Sequence, residues 1–187
     1  AAINVLGQAS FTTATAATTQ SRLRNPSGAA FESGTRHLFV ADTNNHRVMV
    51  FDAAALTNGE NAINVLGQTS FTAGTGATSQ SRMKNPHGAS IDPLTHALFV
   101  ADTSNHRVTV YDVTVITNGE NATGVLGQAN YTGGTAATAQ NRMSSPRGVT
   151  LLALPVVTAS IAYDYDPLYR LTAADYDNGT FFHYTYD

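Results

Sequence analysis

An all-β fold built from repeated, antiparallel four-stranded units is predicted by three features of this sequence. They are an ungapped internal repeat, period-two alternation of apolar residues, and turn residues that cut each repeat into short runs. The repeat is marked by AINVLGQ at 2–8 and 62–68 and by ATGVLGQ at 122–128, a spacing of 60 residues. Residues 1–60 and 61–120 agree at 37 of 60 positions without a gap. The third copy follows as far as Pro146, Arg147 and Gly148 and then departs.

Within a copy the runs are short, β-rich and bounded by Gly, Pro, Asn and Asp, which predicts strands rather than helices. In the second copy four strands are expected: Gly88 to Asp92, Ala97 to Asp102, His106 to Asp112 and Ala122 to Gln128. Side chains alternate along a strand, so Val108 and Val110 face one way and Thr109 and Tyr111 the other. Four-stranded sheets repeated along a chain pack radially as propeller blades, each covering its neighbour.

The segments LFVADTNNHRVMVFD at 38–52 and LFVADTSNHRVTVYD at 98–112, each preceded by NP-x-GA, resemble the NHL repeat. The resemblance covers residues 1–150 and implies a partial propeller whose relatives usually have six blades and serve as interaction platforms. Two features depart from the family pattern. The period is longer than usual, the excess lying in Thr/Ala/Ser-rich stretches such as SFTAGTGATSQSR; VLGQ followed by an aromatic and such a loop is similar to a variant of bacterial secreted NHL proteins. Two full blades, a leading outer strand at 2–8 and one incomplete blade cannot close a ring of six. Open faces and edges are then expected to be covered by missing sequence, by another copy, or by the C-terminal segment.

The C-terminal part, 151–187, is read as a separate junction and hairpin. Arg170 to Asp177 and Thr180 to Asp187 flank Asn178-Gly179, a type I′ hairpin signal because both residues tolerate positive φ. YDYDPLYRLT, the Asn-Gly turn and HYTYD resemble the YD, or Rhs, repeat of bacterial surface and toxin-encapsulating proteins and of the animal teneurins, in which an NHL propeller also precedes the YD array.

Composition narrows the function classes. Ten basic against thirteen acidic residues give a net charge of −3, with Lys84 the one lysine and no basic block along the sequence. Nucleic acid is therefore not an expected partner. The absence of cysteine excludes disulfides, thiol catalysis and Cys-ligated zinc. Charged residues are only 12 %, a neutral and hydroxyl-rich profile that favours an extracellular location. No run of about 18 apolar residues occurs, so membrane insertion is not expected. The start resembles the inside of a repeat, which predicts that sequence upstream of it was removed.

Several side chains are candidates for chemistry. Asp42 with Arg47 and Asp102 with Arg107 recur at fixed offsets and are read as turn-shaping groups, the Asp accepting turn hydrogen bonds and the Arg pairing with a carboxylate. Asn45 or Asn105 is expected to take the left-handed conformation. His46 and His106 belong to the repeat, whereas His37, His87, His96 and His183 have no repeated partner, so no metal site is assigned. No Asp-rich loop supports calcium. Lyases and lactonases related to NHL proteins use an axial metal, but no acidic or histidine cluster unique to one blade matches them, and G-x-S-x-G, P-loop and H-E-x-x-H motifs do not occur.

No catalytic, cofactor-binding or metal residue is therefore assigned, and no cofactor is expected. Tyr163, Tyr165, Tyr169, Tyr176, Tyr184 and Tyr186 are assigned to cross-strand packing rather than sugar stacking. Asn121-Ala-Thr, Asn130-Tyr-Thr and Asn178-Gly-Thr fit glycosylation acceptors. The expected role is a non-catalytic, extracellular structural or adhesive module of a bacterial surface protein. It is expected to associate into a homo-oligomer or filament, or with other surface proteins or glycans. A metal-dependent propeller enzyme or ligand-binding domain is the alternative.

Overall fold

The computed structural model describes residues 1–151, 161–165, 167–176 and 181–183. It divides into two compact units, Ala1–Leu151 and Leu152–Asp187. Eleven strands and two single-turn 3-10 segments make up the regular structure of the described residues. The fold is all-β, as the alternation and turn chemistry predict.

The first unit holds two four-stranded antiparallel sheets, each in simple sequential order. The first blade is β1 (Pro26–Glu32), β2 (His37–Asp42), β3 (Arg47–Asp52) and β4 (Asn64–Leu66). The second is β5 (Pro86–Asp92), β6 (Ala97–Asp102), β7 (Arg107–Asp112) and β8 (Gly124–Leu126). Registers repeat at the same offset: Asp42 lies opposite Arg47 and Asp102 opposite Arg107, and each innermost strand shifts register after its proline.

One apolar cluster joins the blades. Phe39, Val48, Val50, Leu66 and Met83 of the first blade and its following loop pack with Leu98, Val100, Tyr111, Val113 and Ala122 of the second. A second cluster covers the opposite face of the first blade, where Met49, Phe51 and Val40 meet Leu6 and Leu23. Val48 and Val50 thus face the neighbouring blade while Met49 and Phe51 face away from it, as alternation requires. The innermost strands approach closely: a Cβ at Gly88 would lie 2.6 Å from the Arg147 carbonyl oxygen, and one at Gly28 would overlap the His87 carbonyl.

Three details differ from expectation. Residues 2–8 are not a strand. They hold the position of an outer strand, since Val5 N–H donates to Asn58 Oδ1 (2.9 Å) and Gly59 N–H to Val5 O (3.2 Å). Val65 makes the same two contacts with Asn118 and Gly119. What 2–8 lack is a paired neighbour equivalent to β3, and a ladder needs two strands. The fourth strand of the second blade is shorter than Ala122 to Gln128, and His106 precedes β7 rather than opening it.

The second unit is a three-stranded antiparallel sheet in the order β11-β10-β9, formed by β9 (Ile161–Tyr165), β10 (Leu171–Tyr176) and β11 (Phe181–His183). β10 and β11 fall within the two runs expected to form a hairpin, and β9 adds a strand the sequence reading did not assign. Asp175 lies opposite Phe181, whereas a two-residue turn at Asn178-Gly179 would set it opposite Phe182. Asn178, Gly179, Tyr184 and Tyr186 lie outside the described residues.

Candidate interaction surface

Each blade is organised around a buried ion pair at the turn between its second and third strands. Arg47 Nε donates to Asp42 Oδ2 at 2.7 Å and Arg107 Nε to Asp102 Oδ2 at 2.8 Å, with all four side chains fully buried. Burying a charge is costly unless every polar atom is matched, and here the matching is extensive. Asp42 also accepts from Arg24 N–H (2.6 Å) and from Asn45 Nδ2 (2.9 Å). The Arg47 guanidinium donates to the carbonyls of Thr19 (2.8 Å), Arg22 (3.1 Å) and Phe71. Arg107 repeats this with Ser79 (2.8 Å), Arg82 (2.9 Å) and Tyr131. Burial pushes the Asp102 carboxyl upward, opposed by the Lys84 N–H, Arg107 and Asn105.

The Thr-rich loops that lengthen the period are therefore fixed to the blades, not idle linkers. Gln68 and Gln128 tighten them further, each Nε2 donating at 3.0 Å to a histidine carbonyl (His46, His106) and at 3.0 Å to a loop carbonyl (Thr75, Thr135).

The left-handed residue of the turn is histidine, not asparagine. His46 has φ 55° and His106 φ 53°, while Asn45 and Asn105 are buried in the 3-10 turn and donate to the aspartate. Each histidine reaches the following copy: His46 Nδ1 accepts from Asn85 N–H (3.1 Å) and His106 Nδ1 from Ser145 N–H (3.0 Å). Only an imidazole unprotonated at Nδ1 can accept. Burial, and after it the Lys84 charge, hold His46 below the usual histidine range. Thr43 and Thr103 add hydroxyl bonds of 2.7 Å to the carbonyls of Pro86 and Pro146. At the other end of the same seam, His96 pairs with the buried Glu32.

Other candidates stay apart. Among the described residues no three His, Cys, Asp or Glu side chains group as a metal site, and no helix is long and apolar enough to cross a membrane. His37 Nδ1 is buried without a hydrogen-bond partner among the described residues. Asn121 is exposed, and Asn130 Oδ1 accepts from Thr132 and Gly133 in a local turn. Tyr163, Tyr165 and Tyr169 are exposed rather than packed into a core.

What the first unit offers outward is surface of blade type. Leu126 is 49 % exposed and Phe31 50 % exposed, although their counterparts Leu66 and Ile91 lie in the contact between blades. These features define the class: a repeat-built scaffold of propeller-type blades whose repeated polar groups hold loops and neighbours in place. Residues 23–51, from the loop before β1 through β3, match the family model of the NHL repeat. The chain is 34 % identical over 97 residues to NHL repeat-containing protein 2 of Gallus gallus and, equally, to that of Bos taurus. That alignment covers 49 % of this chain and 12 % of each relative, so the chain spans about an eighth of the length of the curated relatives it matches.

Proposed function

We propose that this chain is a non-catalytic structural or adhesive module that works outside the cell through protein–protein contacts. The observation that carries this reading is how the repeat's polar side chains are used. Asp42, Asn45 and Arg47, and their counterparts Asp102, Asn105 and Arg107, are spent on binding the chain's own loops. Catalytic groups need different roles at different positions, whereas these do the same thing twice. NHL repeats form a protein-interaction type of propeller, and residues 23–51 match that family.

The extracellular placement rests on the sparse charge and hydroxyl-rich composition. A bacterial surface protein is the setting favoured by the VLGQ-type loops and by the likeness of 163–187 to a YD repeat. The test is elemental analysis of the purified chain combined with lyase and lactonase assays. Absence of both a retained metal and turnover is expected; a stoichiometric metal with either activity overturns the reading.

A further inference from the structure

The registers place one set of loops at each end of every blade. Asp42, Leu66 and the loops 7–25, 67–85 and 127–145 belong to the end where the second strand turns into the third. Glu32, Asp52 and the segments 52–63 and 112–123 belong to the opposite end. Charge follows this division closely. Residues 7–31, 67–91 and 127–151 contain no acid but contain Arg22, Arg24, Arg82, Lys84, Arg142 and Arg147. Arg24, Lys84 and Arg147 are exposed, and the two aspartates at this end are buried against Arg47 and Arg107.

The opposite end carries Glu32, Asp52, Glu60, Asp92, Asp112 and Glu120, with Arg36 of the β1–β2 turn the one arginine there. Asp52 and Asp112 are exposed, and each spends one carboxylate oxygen on its own turn (Ala54 N–H, 2.8 Å; Thr114 N–H, 3.0 Å). The blades are thus polar along their length, cationic at one end and anionic at the other. A His87 held low by burial and by Arg147 accords with positive potential at the first end.

We propose that the protein stacks end to end on a second copy of itself, the Arg24–Lys84–Arg147 end of one copy meeting the Asp52–Asp92–Asp112 end of the next. The partner is identified by two matching properties. The first is charge complementarity. The second is repetition: each row recurs with the blades, Arg24 and Lys84 at one end and Asp52 and Asp112 at the other, both pairs 60 residues apart. A second copy offers one acidic group per blade to one basic group per blade, a periodicity that an unrelated acidic surface has no reason to share. The contact is head to tail and therefore repeats without limit. It deepens, and rests on, the reading of the chain as a protein-contact module.

Complementary faces of this kind steer association and are screened by salt. Light scattering on the full 187-residue chain tests the proposal. Assemblies larger than a monomer are expected at low salt, with self-affinity falling about tenfold or more on reaching about 0.5 M NaCl. The double variant Arg24→Glu/Lys84→Glu and the double variant Asp52→Lys/Asp112→Lys are each expected to be monomeric at low salt, with unchanged circular dichroism. Mixing them is expected to restore stacks in which the two variants alternate in equal amounts, because the reversed ends face each other and the two untouched ends still match. Should the lysine variant lose its fold, Asp52→Asn/Asp112→Asn keeps the turn acceptors and must still weaken stacking. A monomeric wild type at low salt, or salt-independent association abolished by Leu126→Asp alone, overturns the proposal. Neither result touches the metal and turnover assays that decide the non-catalytic reading.

Discussion

Leu66 and Leu126 occupy the same position in successive repeats, yet Leu66 is fully buried and Leu126 is 49 % exposed. The difference is the neighbour, because Leu66 packs into the cluster with Leu98, Val100 and Tyr111 of the second blade. Leu66→Ala is expected to destabilise the first unit by about 2–5 kcal/mol, and Leu126→Ala by less than about 1 kcal/mol. Urea unfolding of the two variants checks this; equal losses would show that the blade seam is not what buries Leu66.

Removing Arg47 strands Asp42 in a dry site. Arg47→Ala is expected to cost about 3–5 kcal/mol, the range for breaking a buried pair. Because the guanidinium also holds the carbonyls of Thr19, Arg22 and Phe71, limited proteolysis of the variant should cut within the loop 7–25, which supplies two of them, before it cuts the strands. Protection of that loop equal to wild type would refute the anchoring role.

The His46 acceptor makes the seam sensitive to acid. Its folded pKa lies below the unfolded value of 6.5, so the unfolded chain takes up the proton first. The His46 contribution is complete above pH 6.5 and is lost as pH falls through the lower folded value. His46→Asn keeps an acceptor oxygen near the place of Nδ1 and tolerates positive φ. Its thermal midpoint is expected to match wild type at pH 8 and to exceed it at pH 5. A parallel pH profile for both proteins would remove the imidazole from the account.

At Gly28 the constraint is space, not dihedral freedom, since an added Cβ would overlap the His87 carbonyl of the next innermost strand. Gly28→Ala is expected to cost about 1–3 kcal/mol by forcing the strands apart. Gly34→Ala, with nothing within 4 Å, is the control. Equal midpoints on heating would contradict the close approach.

Much of this architecture is legible in the sequence. The four runs of the second copy fall within a few residues of β5, β6, β7 and β8, because alternation and turn residues report local backbone preference directly. The Asp–Arg pairing was readable for the same reason: two opposite charges recur five residues apart across one tight turn. The left-handed histidine was not. Asparagine has the stronger local preference for that conformation, but Asn45 is needed in the turn to donate to Asp42, and the next residue takes the bend.

The role of the Thr-rich loops was also hidden, since their bonds run through main-chain carbonyls that carry no side-chain signal. Nor could the strand expected at 2–8, which does not form, be judged from its own residues. Whether a β-prone run becomes a strand depends on a partner that local sequence does not encode.

Arg47 and Arg107 reach backbone oxygen alone in those loops, and this separates what the loops must conserve from what they can change. Thr19 becomes Ser79 and Phe71 becomes Tyr131 between copies, and the same carbonyls are still held. At those positions a substitution leaves the held carbonyl in place, while inserting or deleting one residue moves a carbonyl away from a guanidinium that cannot follow it. Drift in composition at constant length is the expected history of such a segment, and the 60-residue period survives between copies that differ at many loop positions. The repeat length is in effect measured by an arginine.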